Sequence, residues 1–344
     1  MKIPLGIEGD YIETRTTSLF FDVKGLFHPS DRKICYLRFI PDKNGDRVKN
    51  EIKYKKVYDL EERDILIKKK YPQYHNYFPE YDMTLQCVKN EEIKKIYSPR
   101  KYLNLLRNKE NLTKFEKLCL ELCNLLNSEV SIPEDQIGIT GSPMIGLNLK
   151  DSDIDLIIYG TKVSQKLQPH LVSLFKKTDH FRQYILKEYE KHYQWRVGGS
   201  NISFDQFMRT ERRKLHQGKY YGIDFFIRYI KSPEDWKGTF NQYKFKNLGR
   251  ISLIAKVLNN EDGLFTPCSY KINCEKVITS DFDLNTNHSK LNEVFSYRGR
   301  FCEQARVGER FLIDGKLEEV HYKGTSHYRV ILTHQKLDKM ILMT

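Results

Sequence analysis

The residues of this chain whose types and spacing could do chemistry are a Gly-Ser pair and two aspartates that follow it. Gly141 and Ser142 end a short apolar segment, ten residues separate them from Asp153, and Asp155 comes two positions later in an Ile- and Leu-rich segment. Alternate residues of a strand point to one face, so both carboxylates leave the same side of the predicted sheet. Like charges at that spacing are costly unless a cation joins them. Mg²⁺ takes one or two carboxylates plus substrate phosphates, so the spacing predicts a phosphoryl-transfer site.

The residues after Gly141 could bind phosphate groups. Ser142 is a favourable helix N-cap, Pro143 suits the first helical position, and the run 144–147 would continue for one or two turns. A helix N-terminus presents free backbone N–H groups and the positive end of the helix dipole. We therefore expect a triphosphate to bind at this loop.

A third carboxylate lies near the centre of the run 220–230, which is rich in β-branched and aromatic residues and predicts a strand. This residue is Asp224. A carboxylate among apolar neighbours is expensive to bury, so a partner is expected. Two interpretations stay open: Asp224 completes the catalytic site, or it pairs with a structural arginine such as Arg228.

The combined pattern resembles the signature of the polymerase-beta-type nucleotidyltransferase superfamily. The family's motif is matched by an apolar segment, Gly141-Ser142, a gap of this length and Asp153-x-Asp155 on a strand. Only Thr140 is more polar than the usual flank. The resemblance is strong from 113 to 235. Over its full length the chain is similar to archaeal proteins described as predicted nucleotidyltransferases, which adds nothing about the substrate.

The resemblance implies a fold and a role for each site residue. The fold would be α+β, with a polymerase-beta-like core of a mixed sheet with helices on one face. Asp153 and Asp155 would hold two Mg²⁺ ions, or Mn²⁺ in their place, and Asp224 would complete the metal site and activate the attacking hydroxyl. Gly141 and Ser142 would bind the phosphates of a nucleoside triphosphate such as ATP.

The charge balance points to the class of partner. The 344 residues include 58 Lys and Arg against 45 Asp and Glu, a net charge of +13. Such a surplus favours a nucleic acid, RNA in particular, although basic surfaces also serve solubility. A basic cluster spans 209–214 and continues to Lys219. There Arg212 and Lys219 are predicted to bind the nucleotide, while a solvated helix end is the alternative.

Three regions follow from the changes in periodicity: a β-rich module over 1–95, the nucleotidyltransferase core over 96–238 and a second β-rich module over 239–344. The first module interleaves Tyr and Phe with Lys and Arg, as in 53–56, which suits either a stacking surface for bases or an ordinary two-faced strand. Apolar spacing predicts an amphipathic helix over 113–130 and mainly helical structure over 161–200. In the last region Asp314-Gly315 indicates a hairpin, and the strand spacing suits a small oligonucleotide-binding barrel.

The cysteine and hydropathy patterns bear on location. Seven cysteines occur without a C-x-x-C pair, and Cys119 and Cys123 are spaced for one buried helix face. No signal-peptide pattern and no long apolar run is present, so we expect a cytoplasmic protein without a membrane segment. The ten histidines form no zinc-binding pattern.

Overall fold

The computed structural model describes residues 3–197, 199–284 and 287–343. No helix within these ranges is long and apolar enough to cross a membrane. The chain forms two compact units, and it passes between them several times. The first unit comprises Met1–Tyr77, Thr84–Arg182 and His216–Lys237, and the second comprises Phe78–Met83, Gln183–Leu215 and Gly238–Thr344.

The N-terminal part of the first unit is an antiparallel sheet, as predicted. Its strands are β1 (Tyr11–Thr14), β2 (Phe20–Val23), β3 (Arg32–Pro41), β4 (Arg47–Lys49), β5 (Ile52–Lys56), β6 (His75–Phe78), β7 (Met83–Lys89) and β8 (Ile93–Tyr97). They pair in the order β4-β5-β3-β2-β1-β8, and β7 joins β3 to β6. One helix, α1 (Leu60–Lys70), follows β5, and its first turn is capped by the Asp59 side chain.

The rest of the first unit is a five-stranded mixed sheet with helices. The strands are β9 (Ile137–Thr140), β10 (Ile154–Tyr159), β11 (Phe181–Arg182), β12 (Gln217–Tyr220) and β13 (Ile223–Ile230). They lie in the order β11-β12-β13-β10-β9, in which β10 and β13 are parallel and the other pairs antiparallel. The three helices are α2 (Pro99–Arg107), α3 (Lys114–Val130) and α4 (Thr161–Lys177).

The predicted amphipathic helix is α3, and its start is encoded locally. Thr113 and Glu116 form a reciprocal capping box, each side chain accepting the other's backbone N–H. Cys119 and Cys123 lie on its buried face with Leu122 and Leu126, so these cysteines are core residues as expected. All seven cysteines of the chain are free thiols.

The second unit contains α5 (Leu186–Val197), α6 (Phe204–Glu211) and a closed β-barrel. The barrel strands are β14 (Tyr243–Asn259), β15 (Cys268–Ser280), β16 (Leu291–Ser296), β17 (Arg310–Tyr322) and β18 (Thr325–Ile331), and β19 (Lys339–Leu342) adds to β17. Pairing runs β14-β15-β16-β18-β17 and returns to β14, with β16 and β18 parallel. This Greek-key closure is the strand order of an oligonucleotide-binding fold.

One local prediction in the barrel is wrong. Asp314-Gly315 is not a hairpin turn, because β17 runs through it without interruption and pairs with β14 on both sides. A Cβ on Gly315 would lie 2.5 Å from Cγ1 of Val330, so glycine is needed there for close packing inside the barrel. The hairpin that joins β17 to β18 lies instead at Lys323-Gly324, where both residues have positive φ.

The predicted fold class is confirmed: an α+β chain with a mixed-sheet core and a β module on either side of it along the sequence. The boundaries of the three predicted regions remain a prediction, because the two compact units are assembled from alternating segments of the chain.

Candidate functional site

The three predicted carboxylates share one face of the mixed sheet. In the parallel pairing of β10 with β13, Ile154 aligns with Phe225, so Asp153 and Asp224 occupy the preceding positions on neighbouring strands. Asp155 lies two residues after Asp153 and therefore leaves the same face. The opposite face of β10 carries Ile154, and β13 carries Phe225 there, both buried.

Gly141 fits closely against Asp155. The residue before it, Thr140, pairs with Asp155 across β9 and β10. Gly141 has a φ of +81°, and a Cβ there would lie 2.6 Å from Oδ2 of Asp155. Only glycine suits both the positive φ and the close approach, since any side chain would collide with the carboxylate and strain the backbone. The motif therefore needs glycine at position 141 because the Asp155 carboxylate occupies the space that a side chain would take.

Thr140, the unusual flank of the motif, has a structural role. Its hydroxyl donates a 2.6 Å hydrogen bond to the carbonyl of Gly9, so a polar side chain is satisfied inside the sheet.

The loop after Gly141 is shorter than the predicted helix. Pro143–Ile145 form a single 3₁₀ turn that ends at Gly146 in the left-handed region. Ser142 does not cap this turn with its side chain, and its hydroxyl lies 3.4 Å from that of Ser152. Pro143 favours the turn, but the left-handed Gly146 stops it before an α-helix can form.

Strand β4 of the N-terminal sheet holds this loop in place. Nη1 of Arg47 donates a 2.5 Å hydrogen bond to the carbonyl of Leu147, and Nζ of Lys49 donates one of 2.6 Å to Ile145. Ile145 and Leu147 also pack in a cluster with apolar residues of the N-terminal sheet. The N-terminal sheet therefore supports the predicted phosphate-binding loop.

The partner of Asp224 is Lys219. Their Nζ and Oδ2 atoms are 2.7 Å apart, directly opposite each other across β12 and β13. The two strands are joined by the left-handed pair Tyr221-Gly222, a two-residue turn that fixes this register. The alternative partner Arg228 is wrong, because its Nη1 lies 2.7 Å from the buried carboxylate of Glu8.

The carboxylates disturb one another's ionisation. Desolvation by the surrounding protein, together with the charges of Asp155 and Asp224, raises the pKa of Asp153 from 3.8 to about 7, although part of its side chain is exposed. Burial also raises the pKa of Asp155, although Arg228 and Lys56 oppose the rise. Perturbed carboxylates of this kind are typical of functional sites.

Lys56 is a site residue that the sequence reasoning missed. It ends β5 of the N-terminal sheet, and its positive charge opposes the rise in the pKa of both Asp153 and Asp155. Its own pKa is lowered by burial. The only signal in the sequence was the alternation over 53–56, which does not show that one of these lysines faces carboxylates a hundred residues away.

The donor set suits a divalent cation in part. Two carboxylates on one face fit the oxygen ligands that Mg²⁺ takes alongside substrate phosphates. Across residues 3–197, 199–284 and 287–343, however, no three His, Cys, Asp or Glu side chains are grouped closely enough to hold a metal ion. The carboxylate of Asp224 is paired with Lys219 instead.

Two of the four basic residues over 209–214 form ion pairs within the second unit. In the second unit, Nη1 of Arg213 pairs with Glu309 at 2.5 Å, and the fully buried Nζ of Lys214 pairs with Glu211 at 2.8 Å. These two residues are therefore bound to acids of the second unit. Arg212 is exposed after the end of α6, and its role in nucleotide binding stays a prediction, as does that of Lys219.

Comparison with known proteins agrees with this site. Residues 121–258, from α3 into β14, match the sequence family described as the nucleotidyltransferase domain. An uncharacterised protein of Methanocaldococcus jannaschii is 27% identical over 333 residues, which cover 94% of this chain and 94% of that protein. No solved structure matches the chain significantly. The matched region holds all three carboxylates and the Gly-Ser pair.

Replacing Gly141 by alanine should displace the Asp155 carboxylate. We expect G141A to lower the rate of any nucleotidyl transfer roughly 100-fold, because a small misplacement of a catalytic group has that effect. The control is G146A, which bears similar backbone strain at φ +70° but has no atom nearer than 3.8 Å to its Cβ. Equal losses in the two variants would show that strain alone is responsible. Transfer of radiolabelled nucleotide measures both.

Removing one charge from the carboxylate group should stabilise the metal-free protein. The folded pKa of Asp153 is about 7, against an unfolded value of 3.8. The stability that its protonated form contributes is thus complete below the unfolded pKa and is lost as the pH rises to the folded pKa. We expect D153N to raise the Tm in EDTA, more at about pH 8 than at about pH 5. The neighbouring exposed carboxylate provides the control D151N, and a D153N variant that melts lower at both pH values contradicts the expectation.

Proposed function

Starting from a nucleotidyltransferase domain at 121–258, we propose that this protein transfers a nucleoside monophosphate from a nucleoside triphosphate to a hydroxyl acceptor. The observation that carries the proposal is the set of carboxylates Asp153, Asp155 and Asp224 on one face of adjoining strands, with Gly141 pressed against Asp155. A purely structural role would not account for three repelling acids placed together at a glycine loop.

In the proposed reaction the acceptor oxygen attacks the α-phosphorus in line. A bond forms between that oxygen and phosphorus, the bond to the bridging oxygen of the β-phosphate breaks, and pyrophosphate leaves. Asp153 and Asp155 bind Mg²⁺, which when bound neutralises charge on the phosphate oxygens. Asp224 accepts the proton of the attacking hydroxyl after Lys219 releases it.

The loop residues and nearby cations position the triphosphate. Gly141 lies against Asp155, and in this proposal the backbone of Gly141 and Ser142 contacts the phosphates, whose charge Lys219 and Lys56 neutralise. Before substrate binds, Lys219 stabilises the charged form of Asp224 at 2.7 Å. This arrangement keeps the site's cations close to where new negative charge arrives.

The acceptor that best fits the chain is the 3′ end of RNA or DNA, extended without a template. The net charge of +13 favours a polyanionic partner. The closed barrel of the second unit is of a type that binds oligonucleotides. A protein or small-molecule hydroxyl would use the same carboxylates.

The proposal is tested by offering each α-labelled nucleoside triphosphate with Mg²⁺ to tRNA, single-stranded DNA and protein acceptors. We expect label to enter a nucleic acid, and D153N and D224N to abolish its entry because each removes a reacting carboxylate. D151N, which changes an exposed aspartate outside the motif, should keep full activity. Transfer that survives both D153N and D224N contradicts the mechanism, and transfer only to protein contradicts the acceptor. Binding of RNA without any transfer would favour a noncatalytic nucleic-acid-binding protein.

Lys56 should act on the triphosphate. We expect K56Q to raise the KM for the nucleoside triphosphate roughly tenfold, since a charge-assisted hydrogen bond to phosphate is lost. The matched control is K55Q, because Lys55 is the adjacent residue on the opposite face of β5 and pairs with Glu62 at 3.2 Å in an exposed position. An unchanged KM in K56Q, with steady-state kinetics as the readout, excludes this role.

A further inference from the structure

The turn between β12 and β13 holds a residue that its backbone geometry does not favour. Tyr221 and Gly222 form this turn, with φ of +47° at Tyr221 and +80° at Gly222. Two-residue turns in which both residues have positive φ prefer Asn-Gly or Asp-Gly, and a bulky side chain in that region is strained. Local folding rules therefore do not explain a tyrosine at position 221. Strain of this kind is concentrated at functional sites.

The ring of Tyr221 is stacked on the imidazole of His180. The two ring centroids are 4.3 Å apart, and the ring planes differ by 11°. The backbone N–H of Tyr221 also donates a 2.8 Å hydrogen bond to the carbonyl of His180. The buried ring of Tyr220 meets Tyr221 nearly at a right angle, with centroids 4.9 Å apart. The two stacked rings are thus held in place, and we call them the His180–Tyr221 platform.

The platform is open to solvent. Tyr221 is 51% exposed although the imidazole covers part of its ring, and His180 is exposed as well. Beside the platform, no atom of the described residues lies within 4 Å of the position that a Cβ on Gly222 would take. Rings in this setting bury little apolar area in the core, but they suit a planar group that arrives from solvent. A nucleobase is such a group, since every base has a π-face.

The platform lies at the same edge of the mixed sheet as the carboxylates. Lys219 and Asp224 are partners across the β12–β13 hairpin, and the turn begins two residues after Lys219. His180 immediately precedes β11, which pairs with β12 at this end. At about 3.3 Å per strand residue, Tyr221 lies about 7 Å from Lys219 along the hairpin. A stacked nucleic-acid strand rises by about 3.4 Å per nucleotide, so this distance corresponds to about two nucleotides.

The order of the strands decides which substrate the platform faces. Gly141 follows β9 at one end of the order β11-β12-β13-β10-β9, and the platform adjoins β11 and β12 at the other end. The carboxylates of β10 and β13 lie between them. In the proposed reaction the triphosphate binds at Gly141, and Asp224 activates the attacking hydroxyl. The platform therefore lies on the acceptor's side of the carboxylates.

We propose that His180 and Tyr221 stack on a base within the last two nucleotides of a single-stranded nucleic-acid acceptor, and so hold its 3′ hydroxyl next to Asp224. Stacking tolerates every base, so the platform fixes the position of the strand end without reading its sequence. The inference rests on the proposed function in that the strand is its acceptor, and it adds two binding residues on the first unit.

The test uses the full-length protein and a short RNA oligonucleotide that carries 2-aminopurine, a base whose fluorescence is quenched on stacking. Mg²⁺ is present and nucleoside triphosphate is omitted, so no transfer occurs. We expect the protein to quench 2-aminopurine at either of the last two positions but not at the 5′ end. Y221N should abolish this quenching and raise the Kd roughly tenfold, with an unchanged dependence on salt, because stacking is not ionic. Y221F keeps the ring and should retain the quenching.

Two further variants separate stacking from folding. The Tm of Y221N should equal or exceed that of the parent protein, because Asn-Gly is a pair that this turn favours. H180A leaves the turn unchanged and should reduce the quenching. The matched control is Y77N, which changes a 59% exposed tyrosine of β6 in the other sheet of the first unit. It should leave both the quenching and the Kd unchanged.

Unchanged quenching in Y221N, or equal weakening of binding in Y77N, overturns the proposal. If Y221N melts at a lower temperature, H180A decides, and unchanged quenching in H180A overturns the proposal. A free 2-aminopurine ribonucleoside triphosphate quenched as strongly as the RNA, and through Tyr221, also overturns it, because the platform would then serve the nucleotide. Quenching that depends on Tyr221 without any transfer refutes the catalytic proposal alone, whereas transfer with RNA binding that ignores Tyr221 refutes this inference alone.

Discussion

The first unit is organised around the cost of holding carboxylates together on one face of a sheet. Asp153 and Asp155 come from one strand and Asp224 from its parallel neighbour, so the fold cannot separate them without losing the strand pairing. Nearby cations reduce the repulsion: Lys219 across the β12–β13 hairpin, Lys56 from the N-terminal sheet and Arg228 further along β13. The N-terminal sheet thus takes part in the site, through Lys56 and through the bonds from Arg47 and Lys49 to the loop that follows Gly141.

Much of this core could be predicted from the sequence because it depends on short-range rules. Strand alternation places Asp153 and Asp155 on one face, and the capping box at Thr113 begins α3 where the apolar spacing indicates. The partner of Asp224 could not be predicted, since it is set by the register of β12, and Arg228 was as good a candidate from composition. Lys56 was missed for the same reason. A contact between distant segments depends on how two sheets pack, which periodicity does not encode.

The partners of basic residues could not be predicted from the sequence either. Arg213 and Lys214 are part of a dense basic run, yet both are bound to acids within the second unit, so they do not add to a surface for phosphate. Local charge density in the sequence was therefore a poor guide. At Gly315 the error was of a different kind: an Asp-Gly pair suits a hairpin, but here the glycine makes room for Val330 inside a continuous strand.

The alternation of the chain between its two units has a consequence for synthesis on the ribosome. Strand β10 pairs with β13, and the segment Gln183–Leu215 of the other unit is made between them. At roughly 5 to 20 residues per second, β13 is complete only about 4 to 14 s after β10. Until then β10 has an unpaired edge, a kind of surface that other nascent chains can pair with. A shortened gene that ends before β13 would leave that edge open permanently. Because segments of the two units alternate along the chain, neither unit can be obtained by a single truncation.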